Sequence, residues 1–290
     1  MQNKYVSFIT DEDLLECVGF LYEKYREALK EKDIKDFFHN RIDPVKFLFD
    51  STILNIDMKK YLENELLRQT DKTISNAIGT FQEKLIGKIE GCCNLSVGQD
   101  IDIVCEGRNL IAEIKNKHNT LKGENKKDLF SKIKEQLRER NVETGYYVRI
   151  IDQTSKNEEW KFTHKNEEYS DPNVKIISGD QFYYLLTEDK KAFAKLYKAL
   201  PIALRDYINS LKENEKIKPS EVTVIEQLAT LINGNQVRLG KDENKKLLEG
   251  ITKINFENYL GFEAIKGKKK KKKAKGKKKE EESKKRKKVK

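Results

Sequence analysis

Residues 98–120 read GQDIDIVCEGRNLIAEIKNKHNT, and here the hydrophobic period of the chain changes from helical to alternating. Ile101, Ile103 and Cys105 alternate with Asp100, Asp102 and Val104, and the second apolar run is LIAEIK at 110–115. Between the two runs, Glu106-Gly107-Arg108 has the composition of a turn. The stretch therefore predicts a β-hairpin that belongs to a covered sheet.

The predicted hairpin brings charged side chains to one face. Successive side chains of a strand point to opposite faces, so Asp100 and Asp102 share a face, as do Glu113 and Lys115. A turn centred on Gly107-Arg108 places Asp102 opposite Glu113, whereas a turn centred on Glu106-Gly107 places Asp100 there. In both registers two carboxylates and one ammonium meet at cross-strand distances of ~5 Å.

Such a patch has the chemistry of a metal site. Two carboxylates at this separation repel each other unless a positive charge lies between them, and Mg²⁺ typically binds one or two carboxylates together with water and substrate phosphate. Lys115 would orient an attacking water and offset charge on phosphorus oxygens. The alternative is a solvated polar face of an ordinary hairpin. The apolar neighbours Ile103, Ile111 and Ile114 place the charges on a strand within a covered sheet, and the residues alone leave both interpretations open.

The rest of the chain indicates an α/β fold: a small mixed sheet flanked by helices, with helical N-terminal and C-terminal additions. A cap at Thr10 and an Asp43-Pro44 pair each predict the start of a helix. Other predicted helices cover 58–68, 73–90, 127–140, 181–186 and 190–211, the last interrupted by Pro201, with two more from 220 to about 262. Further strands are predicted at 145–151, 160–163 and 174–177.

The net charge of +11 is unevenly distributed. Residues 266–290 hold 17 Lys and Arg against three Glu, a net of +14, which leaves the first 265 residues at −3. The tail would attract any polyanion without sequence choice, and its composition predicts disorder. It therefore cannot be a specific site.

Composition also bears on location and on cysteine chemistry. No apolar run approaches the ~20 residues of a membrane span, and the N-terminus turns acidic where a signal peptide needs an apolar core. We therefore expect a cytoplasmic protein without a membrane partner. Cys17, Cys92, Cys93 and Cys105 show no metal-ligand spacing, and we expect small, buried, reduced side chains.

Asp102, followed eleven residues later by Glu113-Ile114-Lys115, resembles the PD-(D/E)XK nuclease signature. Its continuation, EIKNKHNT at 113–120, closely resembles the motif of a group of type II restriction endonucleases that cut GGNCC or related palindromes. The likeness covers about residues 1–210 and extends to these segments: FITDEDLLE, IDPVKFLFD, LLRQTDKTISNAIGTF, GYYVRII, ISGDQFYYLLT and AFAKLYKALP, with FENYLGF at 256–262 as a further match.

The resemblance implies a restriction-endonuclease core that hydrolyses both strands of double-stranded DNA. Asp102, Glu113 and the backbone carbonyl of Ile114 would hold Mg²⁺, and Lys115 would assist the water. Asp102 is preferred to Asp100 because DIVCE resembles the aspartate-led strand of the group. A loop at Lys117, His118 and Asn119 would contact DNA, at phosphate rather than at bases; solvated loop residues are an equal alternative.

Two residues depart from the family pattern. Ile101 replaces the proline before the aspartate, and Phe81-Gln82-Glu83 stands where a His-Gln pair is expected. Glu83 would add a carboxylate to the site. However, it lies about 180° from the apolar stripe of its helix at 100° per residue, which favours a solvated glutamate.

Three functional hypotheses follow. The first is a restriction endonuclease acting as a homodimer, because a palindromic site and a dimer share two-fold symmetry; its cognate DNA methyltransferase would be a separate chain. The second is a DNA repair or junction-resolving nuclease of the same fold, and the third a non-enzymatic polyanion-binding protein that uses the tail. We divide the chain into a nuclease domain at 1–212, a C-terminal helical extension at 213–265 and a disordered Lys-rich tail at 266–290.

Overall fold

A computed structural model describes residues 3–30, 43–56, 58–95, 100–121, 123–217, 256 and 258–262. Within them the helices, numbered in chain order, are α1 (Asp11–Leu29), α2 (Pro44–Ile53), α3 (Met58–Gly87), α4 (Glu124–Glu139), α5 (Gly179–Thr187) and α6 (Ala192–Ser210). The strands are β1 (Cys93–Asn94), β2 (Ile103–Cys105), β3 (Leu110–Lys117), β4 (Thr144–Ile151), β5 (Asn157–Glu159), β6 (Phe162–His164), β7 (Glu167–Tyr169) and β8 (Val174–Ser178). Short 3₁₀ turns cover Glu106–Arg108 and Glu213–Glu215.

The main sheet is mixed and has the order β1-β2-β3-β4-β8-β5. Strand β2 pairs antiparallel with β3, whereas β3, β4 and β8 run parallel. Strands β6 and β7 form a separate hairpin. The predicted α/β class with a small mixed sheet flanked by helices is confirmed.

Helices cover both faces of the sheet, which explains the near-continuous apolar character of β3 and β4. On one face α1, α3, α5 and α6 contribute to a core with Ala112, Ile114 and Val148. On the other face α4 packs through Leu129, Phe130 and Ile133 against Ile111 and Tyr147. The odd-numbered residues of β3, which include Glu113 and Lys115, therefore lie on the α4 side.

The helix starts at Thr10 and Asp43 are as predicted: Thr10 Oγ1 accepts from Asp13 N, and the Asp43 side chain caps α2 ahead of Pro44. The prediction of separate helices at 58–68 and 73–90 is wrong, because α3 runs unbroken from 58 to 87. Residues 69–72 are polar but contain neither glycine nor proline, so nothing there terminates a helix.

Pro201 does not interrupt α6, contrary to the prediction. Proline removes one hydrogen bond from a helix interior, but Leu196 and Ala199 before it and Ala203 after it are all buried on the same core. The burial of both halves keeps the helix continuous despite the lost bond. Most of the two helices predicted from 220 to about 262 lies outside the described residues, as does the tail at 266–290. The described end of that range, residues 256 and 258–262, consists of turns and bends, so the helix predicted there is wrong.

The cysteine prediction is wrong for three of the four residues. Cys92 and Cys105 form a disulfide, and Cys93 is exposed, whereas Cys17 is buried and free. Cys93 pairs with Val104 across β1 and β2, so the next pair outward brings Cys92 beside Cys105, with their Cα atoms 4.2 Å apart. Sequence spacing alone does not reveal this register.

A short C-terminal segment packs onto the core beside α6. Phe256 and Tyr259 are buried against Phe193 and Tyr197 of α6. The Tyr259 hydroxyl accepts from Asp152 N, directly after β4. No helix in the described ranges is both long and apolar enough to cross a membrane.

Candidate active site on strands β2 and β3

The register of the hairpin places Asp102 opposite Glu113. Ile103 pairs with Ala112 and Cys105 with Leu110, so one step further outward Asp102 faces Glu113. The 3₁₀ turn at Glu106–Arg108 makes this register possible, because Asn109 closes it with a left-handed φ of 52°. Asp100 is exposed and lies outside β2, so the alternative register is excluded.

Asp102 is fixed by the neighbouring strand. Its Oδ2 accepts a hydrogen bond of 2.7 Å from the backbone N–H of Ile114. Burial raises the pKa of Asp102, and repulsion by Glu113 raises it further, while the Ile114 hydrogen bond opposes both. The carboxylate is therefore held in place yet lacks a full counter-charge.

Glu113 lies between two lysines, one for each carboxylate oxygen. Lys115 Nζ is 2.7 Å from Oε1, and Lys132 Nζ, from α4, is 3.5 Å from Oε2. Burial alone would lower the pKa of Lys115, but attraction to Glu113 and then to Asp102 outweighs it and raises that pKa. Lys115 is predicted at this patch, but Lys132 is not, because its signal in the sequence is no more than a place on the amphipathic helix α4.

Glu83 also faces this site, and its assignment as a solvated glutamate is wrong. Its side chain is half-buried, and burial followed by repulsion from Asp102 raises its pKa to about 7. Helix α3 contacts α1 and also β1, β2 and β3, and the charged groups that act on Glu83 are Asp102, Lys115 and Glu113. Glu83 therefore lies at the sheet edge instead of in water.

These side chains suit a hard divalent cation. Asp102 and Glu113 offer carboxylate oxygens that repel each other, and Glu83 adds a third carboxylate to the same field. In the part of the chain that the structure describes, no cluster of three or more His, Cys, Asp or Glu side chains has metal-binding geometry. A cation here would thus bind two protein carboxylates and complete its shell with backbone, water or substrate oxygens.

The segment after β3 runs along the edge of the site. Lys117 ends the strand with an exposed side chain, and Asn119 is exposed as well. His118 is half-buried. Its backbone N–H donates to Ile151 O at 3.0 Å, and its ring atom Nε2 lies 3.3 Å from Gln153 Nε2. The loop is thus tied to the carboxyl end of β4.

Comparison with known proteins assigns the chain to a family. The Eco47II restriction endonuclease family matches residues 6–209. The type II restriction enzyme Sau96I of Staphylococcus aureus is 44% identical over 272 residues, which cover 90% of this chain and 100% of that enzyme. The chain belongs to the Eco47II restriction endonuclease family. A further relative, the type II restriction enzyme Eco47II of Escherichia coli, is 35% identical over 216 residues, 71% of this chain and 88% of that enzyme.

Membership of the Eco47II family decides between the three hypotheses. The chain is a type II restriction enzyme, a site-specific hydrolase of DNA. The match spans the hairpin, α3 and α4, so the residues that surround Glu113 all lie within the family region.

Proposed function

We propose that Asp102, Glu113 and the backbone carbonyl of Ile114 hold Mg²⁺ and that Lys115 is the catalytic lysine of this enzyme. The observation that carries the proposal is the single patch formed by the Asp102–Ile114 hydrogen bond and the Glu113–Lys115 ion pair. Restriction enzymes of this type generally use a divalent metal, and carboxylate oxygens with a backbone carbonyl are the donors that Mg²⁺ prefers.

The carbonyl of Ile114 is included because of strand geometry. The N–H of Ile114 points to Asp102, and in an extended residue the N–H and the C=O point to the same side of the strand. The Ile114 carbonyl oxygen would thus face the same space as the Asp102 carboxylate. Two side chains and one backbone oxygen would leave the remaining positions to water and DNA phosphate.

Each residue has a separate task in phosphodiester hydrolysis. A bound Mg²⁺ supplies a Lewis acid and lowers the pKa of bound water. Lys115 donates hydrogen bonds to the attacking water and to the phosphorus oxygens, where negative charge grows. Glu113 keeps the Lys115 ammonium charged and aimed at the site, and Lys132 supports Glu113 from the opposite side. The products implied by the family resemblance are 5′-phosphate and 3′-hydroxyl ends.

The remaining assignments concern the target and the assembly. We propose a GGNCC-like palindrome, a homodimer in which each subunit cuts one strand, and a cognate DNA methyltransferase on a separate chain, all within the cytoplasm. Lys117, His118 and Asn119 contact DNA phosphates at the edge of the site. Phe256 and Tyr259 of the C-terminal extension pack on the core of the nuclease domain, and the Lys-rich tail adds nonspecific affinity.

Plasmid cleavage tests the catalytic assignment. With Mg²⁺ the wild-type protein should give discrete fragments, and Lys115→Ala should cut at least a thousandfold more slowly with unchanged DNA binding. Lys134→Ala is the matched control, because Lys134 is as exposed as Lys115 and also forms one ion pair, with Asp171. Cleavage by Lys115→Ala at the control rate would refute the catalytic role. A urea midpoint that falls with the activity would show that Lys115 is structural.

A further inference from the structure

A basic cleft adjoins the site on the side away from Asp102. Lys115 pairs with Arg149 across β3 and β4, so these two residues are neighbours on one face of the sheet. Arg149 lines a cleft of about 210 Å³ near the carboxyl ends of the parallel strands, where open α/β sheets bind ligands. Its lining includes these charged or polar side chains: His118, Lys126, Arg149, Lys156, Lys161, Glu158 and Glu159.

The lining carries more positive than negative charge. Four cationic side chains face two carboxylates, and both carboxylates are already engaged: Glu158 with Lys156 at 3.4 Å and Glu159 with Lys161 at 3.0 Å. Arg149 is itself paired with Asp152, so the positive excess rests on Lys126. A cleft with this balance attracts an anion and repels a cation.

Arg149 is held in place before any ligand arrives. Its Nη2 lies 2.7 Å from Asp152 Oδ2, and its guanidinium stands 5.7 Å from the centre of the Tyr147 ring. Asp152 is buried, and Tyr259 of the C-terminal segment bonds to its backbone N–H. A guanidinium fixed in this way loses little entropy when it binds an anion.

Two nitrogens of the cleft have unfilled hydrogen-bonding capacity. Arg149 Nε and His118 Nδ1 are shielded from water and have no hydrogen-bond partner among the described residues. A buried polar atom without a partner costs roughly 1–3 kcal/mol, and such atoms in native proteins call for a missing ligand, water or ion. Phosphate oxygens are acceptors of the right kind for a guanidinium.

We propose that this cleft binds the DNA phosphate next to the scissile one, with Arg149 as the principal contact and Lys126 and Lys161 at its rim. The inference rests on the proposed catalytic role of Lys115. Arg149 is the β4 partner of Lys115, and neighbouring strands are ~4.8 Å apart. A DNA strand with one phosphate beside Lys115 would therefore place an adjacent phosphate within reach of the long Arg149 side chain.

DNA affinity without metal tests the cleft. We would measure duplex binding in EDTA for Arg149→Gln, Lys161→Gln and the control Lys195→Gln, whose lysine is similarly exposed and similarly paired, with Asp189 on α6's side of the sheet. We expect Arg149→Gln to bind roughly tenfold more weakly, with a log–log salt slope smaller by about 0.9 for the lost phosphate contact. Lys161→Gln should weaken binding less, and Lys195→Gln not at all.

A neutral phosphate identifies the contact. After the cut is mapped with wild-type protein, a methylphosphonate is placed on either side of it. For one of these two duplexes, the methylphosphonate should weaken binding to the wild-type protein about tenfold. The same methylphosphonate should not weaken binding to Arg149→Gln. Equal losses for both proteins would overturn the proposal, as would a loss confined to one base sequence, because phosphate contacts carry no sequence information.

The outcomes separate the cleft from the active site. If Arg149→Gln does not fold, the comparison of Lys161→Gln with Lys195→Gln tests the cleft instead. An unchanged DNA affinity and salt slope for Lys161→Gln would then reject the cleft as a phosphate site. If the wild-type protein cleaves DNA and neither cleft variant changes DNA affinity, the cleft proposal is rejected and the catalytic assignment stands. Normal cleavage by Lys115→Ala rejects the catalytic assignment, and the cleft proposal with it.

Discussion

Replacing Glu83 by Gln should stabilise the metal-free protein more at pH 8 than at pH 5. In the folded state burial and repulsion from Asp102 raise the pKa of Glu83 to about 7, against an ordinary value of 4.5. Folding therefore favours the protonated form. The resulting penalty is absent below about pH 4.5, grows as pH rises, and is complete above pH 7.

The size of the effect follows from the shift. At 1.36 kcal/mol per pKa unit, a rise from 4.5 to about 7 corresponds to roughly 3 kcal/mol of lost stability at pH 8. Solvent reaches part of the side chain and screens it, so we expect Glu83→Gln to recover about 1–2 kcal/mol. Gln keeps the size of Glu but carries no charge, so packing should change little.

Urea unfolding in EDTA at pH 5, 6, 7 and 8 measures this gain as a shift in midpoint at constant slope. Glu63→Gln is the control, because Glu63 lies on the same helix in an exposed ion pair with Lys60. Its replacement should cost at most about 0.5 kcal/mol at every pH. A gain for Glu83→Gln that is equal at pH 5 and pH 8, or absent at pH 8, would refute the placement of Glu83 in the field of Asp102.

Three other predictions follow from contacts described above. Tyr259→Phe leaves the buried N–H of Asp152 without its acceptor and should cost about 1–3 kcal/mol in urea unfolding; an unchanged midpoint would show that the C-terminal segment contributes little there. Gly179→Ala would place a Cβ 2.6 Å from Ile150 O, so the melting temperature should fall by several degrees, and a rise would contradict the close approach. Deleting residues 266–290 should reduce the salt dependence of DNA binding while plasmid fragments stay the same, and loss of the fragment pattern would give the tail a specific role.

The hairpin could be predicted because the information for it is local. Strand side chains alternate, and the length of the turn at Glu106–Arg108 restricts the register to two choices. One of those choices places Asp102 opposite Glu113, as the structure does. The fold class followed in the same way, from apolar runs in β3 and β4 that require cover on both faces.

Glu83 and Lys132 could not be placed from the sequence because their positions depend on packing between distant elements. A helical wheel shows one apolar stripe on α3 but not the second face that meets the sheet edge. In the sequence nothing distinguishes Lys132 from the other lysines of a charged helix. Its contact with Glu113 arises only because α4 packs across β3. The Cys92–Cys105 disulfide could not be predicted for the same reason, since it depends on the pairing of β1 with β2.

The late position of Phe256 and Tyr259 in the chain has a consequence for synthesis. Helix α6 ends at Ser210, yet its aromatic residues Phe193 and Tyr197 pack against rings that the ribosome adds about fifty residues later. At 5–20 residues per second, a nascent chain waits roughly 3–10 s with that apolar surface uncovered. Throughout this interval the backbone N–H of Asp152, beside the arginine of the basic cleft, has no tyrosine hydroxyl to bind. A growing polypeptide therefore completes this hydrophobic core only after Phe256 and Tyr259 have been translated.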